Sequence, residues 1–389
     1  MRVLVLISDR YDPPVTAPRV RNAGLWPAAR RLGAEVRILG CAQRREEAGP
    51  TAGGEEYFAL DRDPLPVRAA EAFVHTYHQW PRSRGLRRRA AEVAAEWRPD
   101  VVHAEELRMA AYLPAGLASL HSVTLHNVES DLQRQIGSTP FGMLDPIARR
   151  LQLHNLVRFE RRMLDAVDLA FAFSPVDLAR WRALHPSARC TWRTTRNGTD
   201  VRGIIPPPQP EAPGILLVGS LAYAPNYHGT LWFLEQVLPR IPLEWPVTVA
   251  GSFAPPPLRE ALARTRVRFA DTPRDLAPYY AASAICVAPV FAGSGTRTKI
   301  LEALAHERVV VTTPLGAEGL DLPADGGVAL ATDADGFVAE IVRWGRDASA
   351  RTAAARRGRE AIALTYDWSV VALEQLEAWR TCRAGRAGQ

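Results

Sequence analysis

The chain has 389 residues, 47% hydrophobic and 23% charged, a composition that excludes a disordered chain and suits two soluble enzyme-like domains better than one. Its cysteines, Cys41, Cys190, Cys286 and Cys382, lie far apart with no C-x-x-C and no histidine at ligand spacing, so neither a disulfide framework nor a metal site is expected. The net charge of +6 sits in residues 1–200, where 29 Arg face 23 Asp+Glu; the remainder balances at 19 against 19.

The amino terminus, Met1 to Ile7, holds a short apolar run that Ser8, Asp9, Arg10 and Asp12 close at once, which is neither a signal peptide nor a membrane span. A cytoplasmic protein is expected. The densest basic run, Arg82, Arg84, Arg87, Arg88 and Arg89, reads as a solvated helix face or as attraction to anionic lipid or a phosphorylated acceptor. The second reading would place the protein peripherally at the inner face of a membrane. Nucleic acid is not expected, because no aromatic residues interleave with the basic ones.

In chain order, strands are expected at Val3–Ile7, Glu35–Leu39, Val101–Ala104, Val123–His126, Leu169–Phe173 and Cys190–Arg193. Helical patterns separate them, among them Pro18–Leu32, Arg87–Trp97 and Met143–Leu164. The proline-rich stretch Val201–Gly214 is stiff and extended and reads as a linker. The alternation then restarts, with strands at Ile215–Val218, Val247–Ala250, Val267–Phe269, Ile285–Ala288, Val309–Thr312 and Val328–Ala331. Helices are expected at Tyr227–Leu238, Leu258–Ala263, Arg274–Ala282, Thr296–Ala305, Ala334–Arg346 and Ala350–Leu364, and an amphipathic helix from Tyr366 through Trp379. This order predicts an α/β fold of two doubly wound, Rossmann-like parallel-sheet domains, at 1–200 and 215–365, with 201–214 between them and 366–389 as a terminal helix. Ligands of such sheets bind beyond the carboxyl ends of the strands, which places function in a cleft shared by the two domains.

The most informative segment is Ala288 through Ala305. A strand ends at Pro289, Gly293, Ser294 and Gly295 form a loop, and Thr296 opens a helix whose free amides suit a phosphate. Arg297 and Lys299 put positive charge at the end of a helix where the dipole disfavours it, so an anionic ligand is expected there. Ile300, Leu301 and Leu304 should pack on the sheet, with Lys299 and Glu302 together on the opposite side. Of 48 Lys+Arg residues, Lys299 is the sole lysine. Neither a Walker A loop nor a G-x-G-x-x-G fingerprint is present, which weighs against an ATPase and an NAD-dependent dehydrogenase.

Gly295-Thr-Arg-Thr-Lys-Ile-Leu-Glu-Ala303 with Val309 to Leu320 resembles the donor-site signature of the GT-B glycosyltransferases of family 4 (glycosyl transferases group 1). Gly219 to Asn226 with Trp232-Phe233, Leu125 to Ser130, and Arg196 to Asp200 resemble three further motifs of that family, in the same order. The resemblance implies GT-B architecture and a nucleotide-sugar as co-substrate. It also implies sugar transfer to a carbohydrate, lipid-linked or small-molecule acceptor with retention of configuration, and no metal or other cofactor. By position it implies that Glu302 holds the donor ribose, that Arg297 and Lys299 neutralise the diphosphate, and that Gly219, Ser220 and Asn226 line the donor from the opposite loop. It assigns His126 to the reaction centre. It also implies that the terminal helix crosses back to the first domain. Two departures stand out: Ser294 occupies the position of an earlier glutamate found in many members, and the loop Ser220 to Asn226 lacks their basic pair.

Around His126, Asn127 and Glu129 are acceptor-side candidates, and Glu129 either orients the imidazole, meets the acceptor or caps a helix. His103, also at a strand end, is left structural. Arg19 and Arg21, opening the first helix, read as acceptor or phosphate contacts or as a solvated helix end. Asp61-Arg-Asp63 and Asp333-Ala-Asp335 have the D-x-D form of some metal sites and read as surface acidic pairs. A sugar-nucleotide epimerase of the same fold and a non-catalytic nucleotide-sugar-binding subunit are the alternative functions.

Overall fold

The computed structural model describes residues 1–14, 16–61, 83–116, 118–131, 134, 146–293, 295 and 297–387. The chain divides into two compact units, Met1–Asp12 with Trp26–Arg196 and Ala372–Gln389, and Pro13–Leu25 with Asn197–Val371.

Unit 1 is built on a sheet of β1 (Arg2–Ile7), β2 (Glu35–Ala42), β3 (Gly49–Pro50), β4 (Glu56–Ala59), β5 (Val101–Glu105), β6 (Leu120–Leu125), β7 (Leu169–Ala172) and β8 (Thr191–Thr194). Their order is β3-β4-β2-β1-β5-β6-β7-β8, parallel except for β3 against β4. The expected strands are all present. The small pair β3 and β4 was not foreseen, since strands of 2 and 4 residues are too short to carry a period. The expected strand Val123–His126 runs instead from Leu120 to Leu125, so His126 stands one residue beyond its end. Leu4, Leu6, Val102, Ala104, Val123, Leu125, Ala170 and Ala172 form one core face, with Leu86, Ala90 and Val93 of helix α2 (Arg84–Trp97) packed on it.

Helix α1 (Ala17–Arg31) precedes β2, and α3 (Pro146–Leu164) and α4 (Pro175–Leu184) flank β7. Residues 143–145, expected to begin α3, lie outside the described residues. Ser174 caps α4 by accepting from the Asp177 amide.

Unit 2 carries a six-stranded, all-parallel sheet in the order β11-β10-β9-β12-β13-β14. Its strands are β9 (Ile215–Ser220), β10 (Val247–Ser252), β11 (Arg268–Asp271), β12 (Ile285–Ala288), β13 (Val309–Thr312) and β14 (Val328–Leu330). Alternation decides which side chains go where. Ile285, Val287, Val309 and Val311 share a core with Phe337 and Ile341, whereas Cys286, Ala288 and Val310 share another with Ile300, Leu301 and Leu304. Both faces are thus covered by helices, the condition for a parallel sheet of continuous apolar strands.

The helices of unit 2 begin with α5 (Ala224–Trp232), which runs on as a π turn, Phe233–Val237, and a 3-10 turn, Leu238–Arg240, in place of one regular helix; Pro239 removes an amide there. Then come α6 (Pro256–Ala263), a short α7 (Ala277–Ala281), α8 (Thr298–Ala305), α9 (Ala334–Arg346) and α10 (Ala348–Thr365). Helix α11 (Trp368–Ala387) ends the chain, with Ala372 onward grouped in unit 1.

The proline-rich stretch after Asp200 is tied down within unit 2. Arg308, with no exposed surface, donates to the carbonyls of Pro207 and Pro208 at 3.0 and 2.9 Å and to that of Tyr280 at 2.8 Å. Arg359 donates to Val201 and Ile204 carbonyls at 2.7 and 2.8 Å. Prolines supply acceptors without donors, and guanidinium forks satisfy them.

The cysteines are free thiols, three buried and Cys382 half-buried. No helix among the described residues is long and apolar enough to cross a membrane.

Candidate functional site

In unit 2 the anion-site candidates cluster where β9 and β12 end. The Lys299 ammonium donates to Asn226 Oδ1 at 2.6 Å, and Asn226 Nδ2 donates to the Ser220 carbonyl at 2.9 Å. Gly219 is the reason they meet: a Cβ there would sit 2.7 Å from Asn226 Nδ2 and 3.3 Å from the ammonium. Gly219, Ser220, Asn226 and Lys299, separated by up to 80 residues of sequence, thus form one contact set.

The helix opens at Thr298, two residues later than its pattern suggests, so Arg297 is its N-cap and not part of its first turn. From there the guanidinium folds back over Gly293, whose added Cβ would lie 3.3 Å from Nη2 and 3.2 Å from the Tyr223 hydroxyl. Gly293 and Gly295 hold φ of 105° and 80°, a region that glycine enters without strain. The N-cap Arg297 side chain does not cap α8, and among the described residues its first amides face no capping side chain. Ser294 and Thr296 lie outside the described residues.

Ile300, Leu301 and Leu304 are fully buried, as their spacing predicts. Lys299 and Glu302 have different surroundings. Burial first, and then the Arg297 charge, pulls the Lys299 ammonium down to about 7. Burial pushes the Glu302 carboxyl up to about 7, with the Tyr280 hydroxyl opposing and Asp275 adding to the rise. A lysine at about 7 beside an arginine is a site built to receive negative charge.

In unit 1, Ser8, Glu106, Arg108, His126, Asn127 and Glu129 stand just past the carboxyl ends of β1, β5 and β6, which are neighbours in the sheet. Ser8 Oγ donates to Glu106 at 2.8 Å, Arg108 donates to the same carboxylate, and Glu106 is held at a φ of 86°, unusual for a residue with a side chain. Asn127 donates to Glu129 at 3.2 Å, and burial pushes the Glu129 carboxyl up.

His126 is oriented not by Glu129 but by Glu105: its Nε2 lies 2.8 Å from Glu105 Oε1, and its ring meets Phe173 edge to face at 5.1 Å. Glu105 is fully buried and its other oxygen lies 3.1 Å from His103 Nε2. A sequence signal for this existed. His103 and Glu105 are two apart on β5, and Ser122, Thr124 and His126 are two apart on and just past β6, so alternation sends all five to one face.

Arg19 donates to the Pro13 carbonyl at 3.4 Å. Arg21 has no exposed surface, so the solvated helix end is overturned for it: the helix turns this residue inward. Both fall in the Pro13–Leu25 part of unit 2. Asp333 caps α9 through the Gly336 amide at 2.8 Å, and Asp335 pairs with Arg240 at 2.6 Å. Asp61 accepts from the Arg84 amide at 2.9 Å, and Asp63 lies outside the described residues. Among the described residues no three His, Cys, Asp or Glu side chains gather as a cation site.

The two sheets have known counterparts. Residues 212–347 match the family model of glycosyl transferases group 1. The structure superposes on sucrose-phosphate synthase from Thermosynechococcus elongatus with a TM-score of 0.73, 17% identity and 99% and 100% of the two chains covered. An E. coli trehalose-6-phosphate structure bound with UDP-2-fluoro glucose follows at a TM-score of 0.67, 14% identity and 97% and 98% coverage. The fold is GT-B, as the resemblance implied, and matches structures of the GT-B glycosyltransferase class. Within that class, the matched family is glycosyl transferases group 1. An uncharacterized 44.6 kDa protein in the cps region of Klebsiella pneumoniae is 27% identical over 147 residues, 35% of this chain and 38% of that protein.

Proposed function

We propose that the protein transfers a sugar from a nucleoside diphosphate to an acceptor hydroxyl, with retention of configuration and without a metal ion. The observation that carries this reading is the Lys299–Asn226 contact over Gly219, beside the start of α8 and its N-cap Arg297. The bond from the anomeric carbon to the diphosphate breaks, the bond to the acceptor oxygen forms, and the acceptor's proton is released. Negative charge grows on the departing diphosphate. Arg297, Lys299 and the α8 amides stabilise it, and losing one such preorganised group costs about 10²–10³ in rate. Glu302 takes the donor ribose, and His126 acts on a hydroxyl of the sugar or acceptor. UDP is the first nucleotide to test, because the similar E. coli structure holds a UDP-sugar.

Nucleotide-sugars screened by thermal shift, followed by mass spectrometry of products with carbohydrate and lipid-linked acceptors, test the reading. A product carrying the donor's sugar on an acceptor is expected, at an unchanged rate in excess chelator. A rearranged nucleotide-sugar without acceptor, or a rate that chelator abolishes and Mg²⁺ restores, overturns it.

A further inference from the structure

In unit 1, Trp379, Ser122, His103, Glu105 and His126 are joined by a hydrogen-bond chain whose direction can be worked out. Trp379 Nε1 donates to Ser122 Oγ at 2.9 Å; an indole N–H can only donate. With one lone pair so engaged, the Ser122 hydroxyl directs its own proton to His103 Nδ1, 2.9 Å away. His103 must then carry its proton on Nε2, which faces Glu105 Oε2 at 3.1 Å and Thr124 Oγ1 at 3.1 Å. Glu105 accepts at that oxygen, and its other oxygen meets His126 Nε2 at 2.8 Å.

Packing fixes the geometry. His103 is fully buried, with ring centroids of Trp26, Trp379 and Phe171 at 5.7, 5.2 and 6.4 Å. A carboxylate is an acceptor only, so each histidine nitrogen that faces it carries the proton.

We infer that Trp379, Ser122, His103 and Glu105 are positioning residues that hold His126 as the Nε2-protonated tautomer and leave Nδ1 to accept from a hydroxyl. The use of that nitrogen rests on the role proposed for His126 above; the tautomer itself does not.

Glu105→Gln is the discriminating variant. The chain from Trp379 keeps an N–H on His103, so the new amide turns its oxygen there and its NH₂ toward His126 Nε2. That nitrogen must then accept, and the His126 proton moves to Nδ1. Long-range ¹H–¹⁵N spectra of histidine-labelled protein at about pH 8, where an ordinary imidazole is neutral, read the tautomer directly. The His126 signals are those lost in His126→Ala. The wild type should show Nε2–H and E105Q should show Nδ1–H. E105Q should also lose about 10²-fold or more in kcat with donor KM unchanged. Adding Trp379→Phe, which keeps an aromatic ring and removes the N–H, should release the amide and give both tautomers. A wild type with Nδ1–H, or an E105Q protein still showing Nε2–H, overturns the inference. If the tautomer switches as expected while His126→Ala transfers sugar at the wild-type rate, the positioning stands and the role proposed for His126 falls.

Discussion

Lys299 is the residue at which charge and burial conflict most directly. Its ammonium is costly to keep in the free protein, where burial and Arg297 draw its pKa to about 7. A bound diphosphate reverses that cost, so binding and protonation are linked. The sign follows. Below pH 7 the site is already cationic and binding is strongest; as pH rises through 7 the free site loses its proton and affinity falls. At pH 8, where Glu302 is mostly ionised, binding of a nucleoside diphosphate should take up close to one proton, about 0.9 by that linkage. Calorimetry in buffers of differing ionisation enthalpy measures this, and Lys299→Met should abolish the uptake and weaken binding by about 1.5–3 kcal/mol. Equal uptake in both proteins would move the titration to another group.

Elements show a different division of labour. The strands of unit 2 were legible because continuous β-branched runs bounded by turn residues admit few other readings; Ile285–Ala288 and Val309–Thr312 have the boundaries their composition predicts. The contact set of Gly219, Ser220, Asn226 and Lys299 could be named from motifs, while the hydrogen bond joining Lys299 to Asn226 could not, since it depends on how far one loop reaches across another. Glu105 went unrecognised because it closes an apolar strand and reads as its polar end. The stretch 201–214 was legible as stiff but not as fastened, because its fasteners, Arg308 and Arg359, come about 100 residues or more later. Arg308→Met would leave the Tyr280, Pro207 and Pro208 carbonyls without that donor. A loss of about 3 kcal/mol is expected in urea unfolding, with new proteolytic cleavage between residues 201 and 214. A change under about 0.5 kcal/mol, the ordinary surface value, would show that solvent replaces the guanidinium.

At the scale of the whole molecule, the +6 of residues 1–200 against balance elsewhere is a long-range property that local pairing does not cancel. Arg89 is held by Glu56 at 3.0 Å and Arg88 by Glu92 at 3.4 Å, so the basic run is partly neutralised at close range. We expect flotation with acidic vesicles at low salt that is lost at high salt; equal flotation with neutral vesicles, or none, would count against any membrane attraction. The thiols give the molecule an internal gauge of its own opening. Burial pushes Cys41 up to about 12 and Cys190 up to about 11, and raises Cys286 as well, so these three are shielded and unreactive in the native state. Cys382 alone is half-buried. Burial raises that thiol too, so a chromogenic thiol reagent should consume one equivalent ahead of the others and not at the rate of an exposed thiol. The later equivalents should appear at rates set by unfolding: Cys286 reports on unit 2, and Cys41 and Cys190 on unit 1. With one of those cysteines kept at a time, a nucleotide that binds unit 2 should slow Cys286 and spare Cys41, turning ligand screening into a stopwatch measurement that needs no knowledge of the acceptor.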